Sequence, residues 1–127
     1  MGYSDITYSS MVLLDITPPG APILALARTA NREVEARVTL PTLDSDGTPI
    51  SGLVELILAI LPETTPTENP FDGILADNIA TYAEGNSGQS ATVFLVDTDA
   101  GTLKASRFGG LTIGEVYWVA ATVRDES

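Results

Sequence analysis

Residues 53–61 read LVELILAIL, and no other stretch limits the fold so strongly. As a strand it puts Val54, Leu56, Leu58 and Ile60 on one face and Leu53, Glu55, Ile57, Ala59 and Leu61 on the other. Glu55 is the only charge on either face. A strand of an outer layer should keep one face in water, so this one needs cover on both sides. The run is also too short to span a bilayer as a helix, and Glu55 breaks it.

The neighbouring pattern is the opposite. In 33–40 (EVEARVTL), Val34, Ala36, Val38 and Leu40 alternate with Glu33, Glu35, Arg37 and Thr39, which predicts a half-exposed strand. Near the end of the chain, a turn at Leu111, Thr112, Ile113 and Gly114 leads to Tyr117, Val119, Ala121 and Val123 at period two. That predicts a strand with one buried face, with Trp118 pointing to the other. Further strands are expected at 11–16 (MVLLDI), 23–27 (ILALA), 91–96 (ATVFLV) and 102–108, the last two joined by a turn at 97–101. Prolines 18, 19 and 22 end the first of these runs.

Residues 62–90 interrupt the series. They open as a loop (PETTPTENP) and close in turn residues (NSGQS). Between these, Phe71, Ile74, Leu75, Ile79 and Tyr82 fall near helical spacing, with Asp72 placed to cap a short helix. Gly73 and the β-branched isoleucines oppose that helix. So long a connection is uncommon unless functional or packed on its own side chains. As an insertion in a hairpin it is a candidate cover for the apolar outer face of 53–61; a partner protein is the other.

Three motifs resemble the fibronectin type III pattern over residues 18–127. They are the proline-rich start before 23–27, the run DSDGTPISG at 44–52, and L-T-x-G-x-x-Y ending at Tyr117. The resemblance implies an all-β chain: a fibronectin type III-like (Ig-like) antiparallel β-sandwich with an N-terminal arm at 1–17 and a long hairpin insertion at 62–90. Two departures stand out. Leu40 occupies the place where the family usually has Trp, and the strand that should follow the one containing Tyr117 is missing at Ser127. An open edge beside 117–123 is therefore expected, and 11–16 is the spare strand to fill it, in its own domain or in a neighbour.

Composition removes most chemistry. The chain holds 17 acidic and 6 basic residues, a net charge of −11, which excludes nucleic acid and anionic membranes as partners. It has no Cys and no His, hence no disulfide, no thiol nucleophile and no imidazole base. No Lys or Arg precedes Arg28, so a secretory signal is not expected, and the chain reads as made in a cytoplasm. Asp44/Asp46 and Asp97/Asp99 have a spacing that would suit calcium, but no EF-hand Glu follows, and turn geometry alone needs such residues there. The serines lack a base, and Lys104, the single lysine, has no serine motif around it. No catalytic residue, cofactor or metal site is expected.

Trp118, with Tyr82 and Phe94, would make an aromatic platform for a sugar ring, although such a Trp more often lies under an insertion or at a protein interface. The resemblance implies interaction without catalysis. By analogy at the level of fold, the expectation is a virion capsid- or tail-surface decoration protein. Its docking residues are expected to be Met11, Val12, Leu13, Leu14 and Ile16 of the arm and Leu53, Ile57 and Trp118 of an apolar sheet face. Capsid or tail subunits, or further copies of the chain, would be the partners. The alternative is a carbohydrate-binding or adhesion module; a small two-carboxylate hydrolase is a third, weaker idea.

Overall fold

The computed structural model describes residues 2–10, 22–43, 49–50, 52–63 and 69–125. The arm supplies β1 (Gly2–Tyr3) and β2 (Thr7–Ser10), and the body supplies β3 (Ile23–Ala30), β4 (Glu33–Thr39) and β5 (Leu53–Pro62). A 3₁₀ turn at Ala76–Asn78 runs into helix α1 (Ile79–Gly85). After it come β6 (Gln89–Phe94), a second 3₁₀ turn at Asp97–Asp99, β7 (Leu103–Phe108) and β8 (Tyr117–Asp125). No helix among the described residues is long and apolar enough to cross a membrane.

These strands form two antiparallel sheets. The small sheet has the order β3-β4-β7, and the large one β1-β8-β5-β6, with β2 also on β8. Residues 91–108 therefore do not form a hairpin: β6 pairs β5, β7 pairs β4, and the Asp97–Asp99 turn carries the chain from one sheet to the other. The insertion lies between β5 and β6, which are antiparallel neighbours, as a hairpin insertion should. Its helix starts later than the spacing predicts. The residue before it is Asn78, while Asp72 lies in a turn held by Asn69, whose side chain accepts the amide of Phe71 at 2.9 Å.

The edge of β8 is occupied from within the chain. Gly2 and Tyr3 pair with Asp125 and Arg124, and Thr7 to Ser10 pair with Ala121 to Trp118. Between the two pieces the arm takes four steps (3 to 7) against three on β8 (124 to 121), so one extra residue bulges out. The edge expected to be open beside 117–123 is taken by Gly2–Tyr3 and Thr7–Ser10; residues 11–16, expected there, lie outside the described residues.

Between the sheets sits the main core. Leu24, Val34, Ala36, Val38, Leu40 and Phe108 face Leu53, Leu56, Leu58, Ile60, Tyr117, Val119, Ala121 and Val123. The Tyr117 hydroxyl accepts the Thr112 amide at 2.8 Å, which ties the turn before β8 to its first core residue. Contrary to the period-two expectation, β8 is buried on both faces, since Trp118, Ala120 and Thr122 are covered as well. A second apolar cluster on the outer side of the large sheet covers Trp118 and Ala120, and Thr122 bonds to Ser4 of the arm.

Candidate functional site

That outer cluster is where the sequence placed a docking face, and the chain itself occupies it. Ile57, Ala59 and Leu61 of β5 and Trp118 and Ala120 of β8 are packed under Phe71, Ile79 and Ala83, with Ile6, Tyr8, Ile74, Ala80 and Tyr82 around them. Helix α1 brings Ile79 and Ala83, one turn apart, onto the sheet as its buried residues. Phe71 is fully buried, and its ring lies 6.1 Å from that of Tyr8, so arm and insertion meet over the strands. Trp118 is 8% exposed, and its indole N–H donates to Glu63 at 3.2 Å.

The join between helix and sheet depends on Gly88. A Cβ there would stand 2.2 Å from the carbonyl oxygen of Ile60 and 2.8 Å from that of Ala83. Such contacts with backbone have no side-chain rotamer to relieve them. The Gly88 amide instead donates to Ala83 at 2.7 Å, closing the helix end, with Ser87 in the left-handed region at φ 65°.

Of the expected docking residues, Leu53 lies in the inter-sheet core, and Ile57 and Trp118 lie in the outer cluster. The three are not brought together on an open face. Met11, Val12, Leu13, Leu14 and Ile16 lie outside the described residues. Nor do Trp118, Tyr82 and Phe94 form a platform. Trp118 pairs across from Leu61 and Phe94 from Glu55, six residues apart on β5, or about 20 Å along the strand. Phe94 is 80% exposed while Trp118 is buried.

The candidate calcium ligands divide in the same way. Asp44 and Asp46 lie outside the described residues. Asp97 accepts the Leu53 amide at 2.9 Å, and Asp99 accepts the Val96 amide at 2.8 Å and pairs with Lys104 at 2.9 Å. The Val96 hydrogen bond and Lys104 hold the Asp99 carboxyl below its ordinary value. Both aspartates are spent on the crossover between sheets. Among the described residues, no three Asp or Glu side chains are grouped to hold a metal ion.

Several residues that matter carried little or no signal in the sequence. Ser4 sits at the arm's bulge and bonds to β8 from both sides: its amide donates to Val123 at 2.8 Å, and its hydroxyl accepts the Val123 amide at 3.0 Å. The buried Thr122 hydroxyl donates to the Ser4 carbonyl at 3.1 Å. Thr122 could have been suspected as a polar residue in an otherwise apolar run, VAATV. Tyr8 is the other. Burial, and then the nearby Asp72 charge, push its phenol above the ordinary value.

No family model, curated protein or solved structure matches this chain.

Proposed function

We propose that the protein is a non-catalytic module that works through protein contacts, placed as an accessory on the capsid or tail surface of a virion. The observation that carries this is the use made of its reactive and aromatic groups. Asp97, Asp99 and Trp118, the best candidates for ligand or sugar binding, each hold a backbone amide, a lysine or the outer core in place. With the apolar outer face occupied by the insertion, docking falls to residues 11–16 of the arm.

Two features support the finer, fibronectin type III-like reading. Counting from β3, the first, second and fifth strands share one sheet and the third and sixth share the other, as A, B, E and C, F do in Ig-like sandwiches. The bond from the Thr112 amide to the Tyr117 hydroxyl has the form of the tyrosine corner at the start of strand F. In this reading the position of the last strand is taken by the arm, arriving from the other end of the chain. The virion assignment itself rests on analogy between folds.

The test is to purify virions from the cells that express the chain and measure its copy ratio to the capsid and tail subunits. A fixed ratio is expected, lost when Val12, Leu13, Leu14 and Ile16 are changed together to Ser while circular dichroism and Tm hold. Particles without the chain overturn the virion assignment. Incorporation that survives the four changes removes the arm as the docking element.

A further inference from the structure

Among the described residues the two sheets leave four lateral edges, and three of them carry features that discourage pairing with another strand. The arm edge is short and broken by its bulge, with Asp5 in the gap. On β3, Pro22 precedes the strand, Arg28 lies within it, and the pairing with β4 shifts between Arg28 and Ala30. On β7, Arg107 points outward, and Lys104, opposite Val38 on the core side, turns a charge inward.

The fourth edge, β6, has none of these. Residues 85–96 (GNSGQSATVFLV) contain no charge and no proline, in a chain whose net charge is −11. The Leu95 amide donates to Val54, which fixes the direction of the ladder. Leu95, Val93, Ala91 and Gln89 turn their backbone groups to β5, so Ser90, Thr92 and Phe94 turn theirs away from it. The side chains of those three lie on the outer face, opposite Ala59, Ile57 and Glu55, and Phe94 is 80% exposed. Of the acids beside this strip, Glu55 pairs with Arg124 at 2.8 Å and Asp99 with Lys104, while Glu84 accepts the Ser90 hydroxyl at 2.8 Å and Asp97 the Leu53 amide at 2.9 Å.

We propose that β6 is a homotypic contact: a second copy of this chain adds its own β6 antiparallel to the first, with the two-fold axis at Thr92. Symmetry and hydrogen-bond direction select that register. Thr92 is the middle of the three outward-facing residues, so centring there pairs Thr92 with Thr92 and Ser90 with Phe94 twice. The two large sheets become one, and every outward amide and carbonyl of the three residues finds a partner. A second copy is the occupant because this neutral edge lets two strongly anionic molecules approach without opposing charges, and because the strip is complementary to itself. The contact is small, so the dimer is a weak one. It is separate from the arm, so a chain that joins virions yet stays monomeric overturns this inference alone.

Sedimentation equilibrium on the full chain over rising concentration, paired with amide hydrogen exchange, tests it. The mass should climb toward twice that of one chain. Exchange at Ser90, Thr92 and Phe94 should slow at least tenfold with concentration, while Ala91 and Val93, already bonded to β5, do not change. Thr92→Lys places two like charges at the axis, and Thr92→Pro removes an outward amide that β5 does not use; each should hold the chain monomeric with Tm nearly unchanged. Thr92→Lys alone decides if the proline variant does not fold. A monomer at every concentration, a dimer that survives Thr92→Lys, or protection of the three amides only when a different protein is added would each overturn the proposal.

Discussion

Outward residues of β4 on the small sheet are Glu33, Glu35, Arg37 and Thr39; those of β5 on the large sheet are Ile57, Ala59 and Leu61, below Glu55. The first set meets water and one another. Glu35 pairs with Arg37 and, at 3.2 Å, with Arg107, which also reaches Glu33 at 3.6 Å. The second set meets Phe71, Ile79 and Ala83 of the insertion. One face is kept open by charge and the other closed by chain, and the closed one needed some twenty-five additional residues to do so. Exposed ion pairs contribute little stability, whereas covering apolar area contributes a great deal. The two faces should therefore fail differently.

The largest expected effect comes from removing the centre of the cover. Phe71→Ala should cost about 3–5 kcal/mol, the usual range for a buried aromatic. Trp118 is the only Trp and belongs to the outer cluster, so its emission reports that cluster alone. In the variant, the emission should shift to the red at lower denaturant than the loss of β-sheet circular dichroism. Coincident transitions would mean that cover and sandwich unfold as one unit.

Gly88→Ala comes next, at about 3 kcal/mol, because its methyl group must displace backbone at Ile60 and Ala83 and not only the Leu61 side chain. Limited proteolysis should cut within 64–90 faster in this variant while the small sheet stays protected.

The two faces should also differ in the pH at which they weaken. Arg37 and then Arg107, both bonded to Glu35, hold its carboxyl below the ordinary 4.5. A carboxyl lowered by folding stabilises the fold above its unfolded value, and that contribution is lost as pH falls through the folded one. Glu35→Gln should therefore flatten the fall in Tm below about pH 4.5. Tyr8 has the opposite sign. Its phenol is raised above 10.0 by burial and by Asp72, so its contribution is complete below that value and lost as pH rises through the folded one. Tyr8→Phe should flatten the alkaline limb and leave the acid limb alone. An unchanged alkaline limb would remove Tyr8 from the account.

The smallest effect is a gain. Ser87 holds φ 65°, where glycine is unstrained, so Ser87→Gly should stabilise the cover by about 0.5–1 kcal/mol, read as a rise in Tm. No rise would show that the Ser87 hydroxyl compensates for the strain.

Much of this contrast was legible in advance. Alternation in 33–40 and its absence in 53–61 told which strand would be wet and which needed cover on both sides, because side chains on a strand repeat every two residues whatever the strand pairs with. The insertion's place between β5 and β6 followed from the same reading, while a strand beside β8 was implied by the fibronectin type III resemblance. The identity of the edge strand followed from neither. Residues 7–10 (TYSS) look like a polar tail until Ser4 and Thr122 are seen bonded across the bulge. The helix was placed too early because Phe71 and Ile74 pack from a turn rather than from a helical face.

By itself, the amino-acid sequence determined the all-β character of this protein, the faces of β4 and of β5 from Glu55 on, and the absence of thiol and imidazole chemistry. These are properties of local periodicity and of residue type. The irregularity between Leu53 and Glu55 turns Leu53 to the inner face instead. Which strands are neighbours, that β6 and β7 lie in different sheets, and that arm and insertion together close the outer face were decided only in the tertiary structure. Period two says which residues share a face but not which strand lies alongside. That choice depends on how the whole chain can cover its apolar area at once, and here the helix, the bulged arm and Gly88 had to fit together to do it.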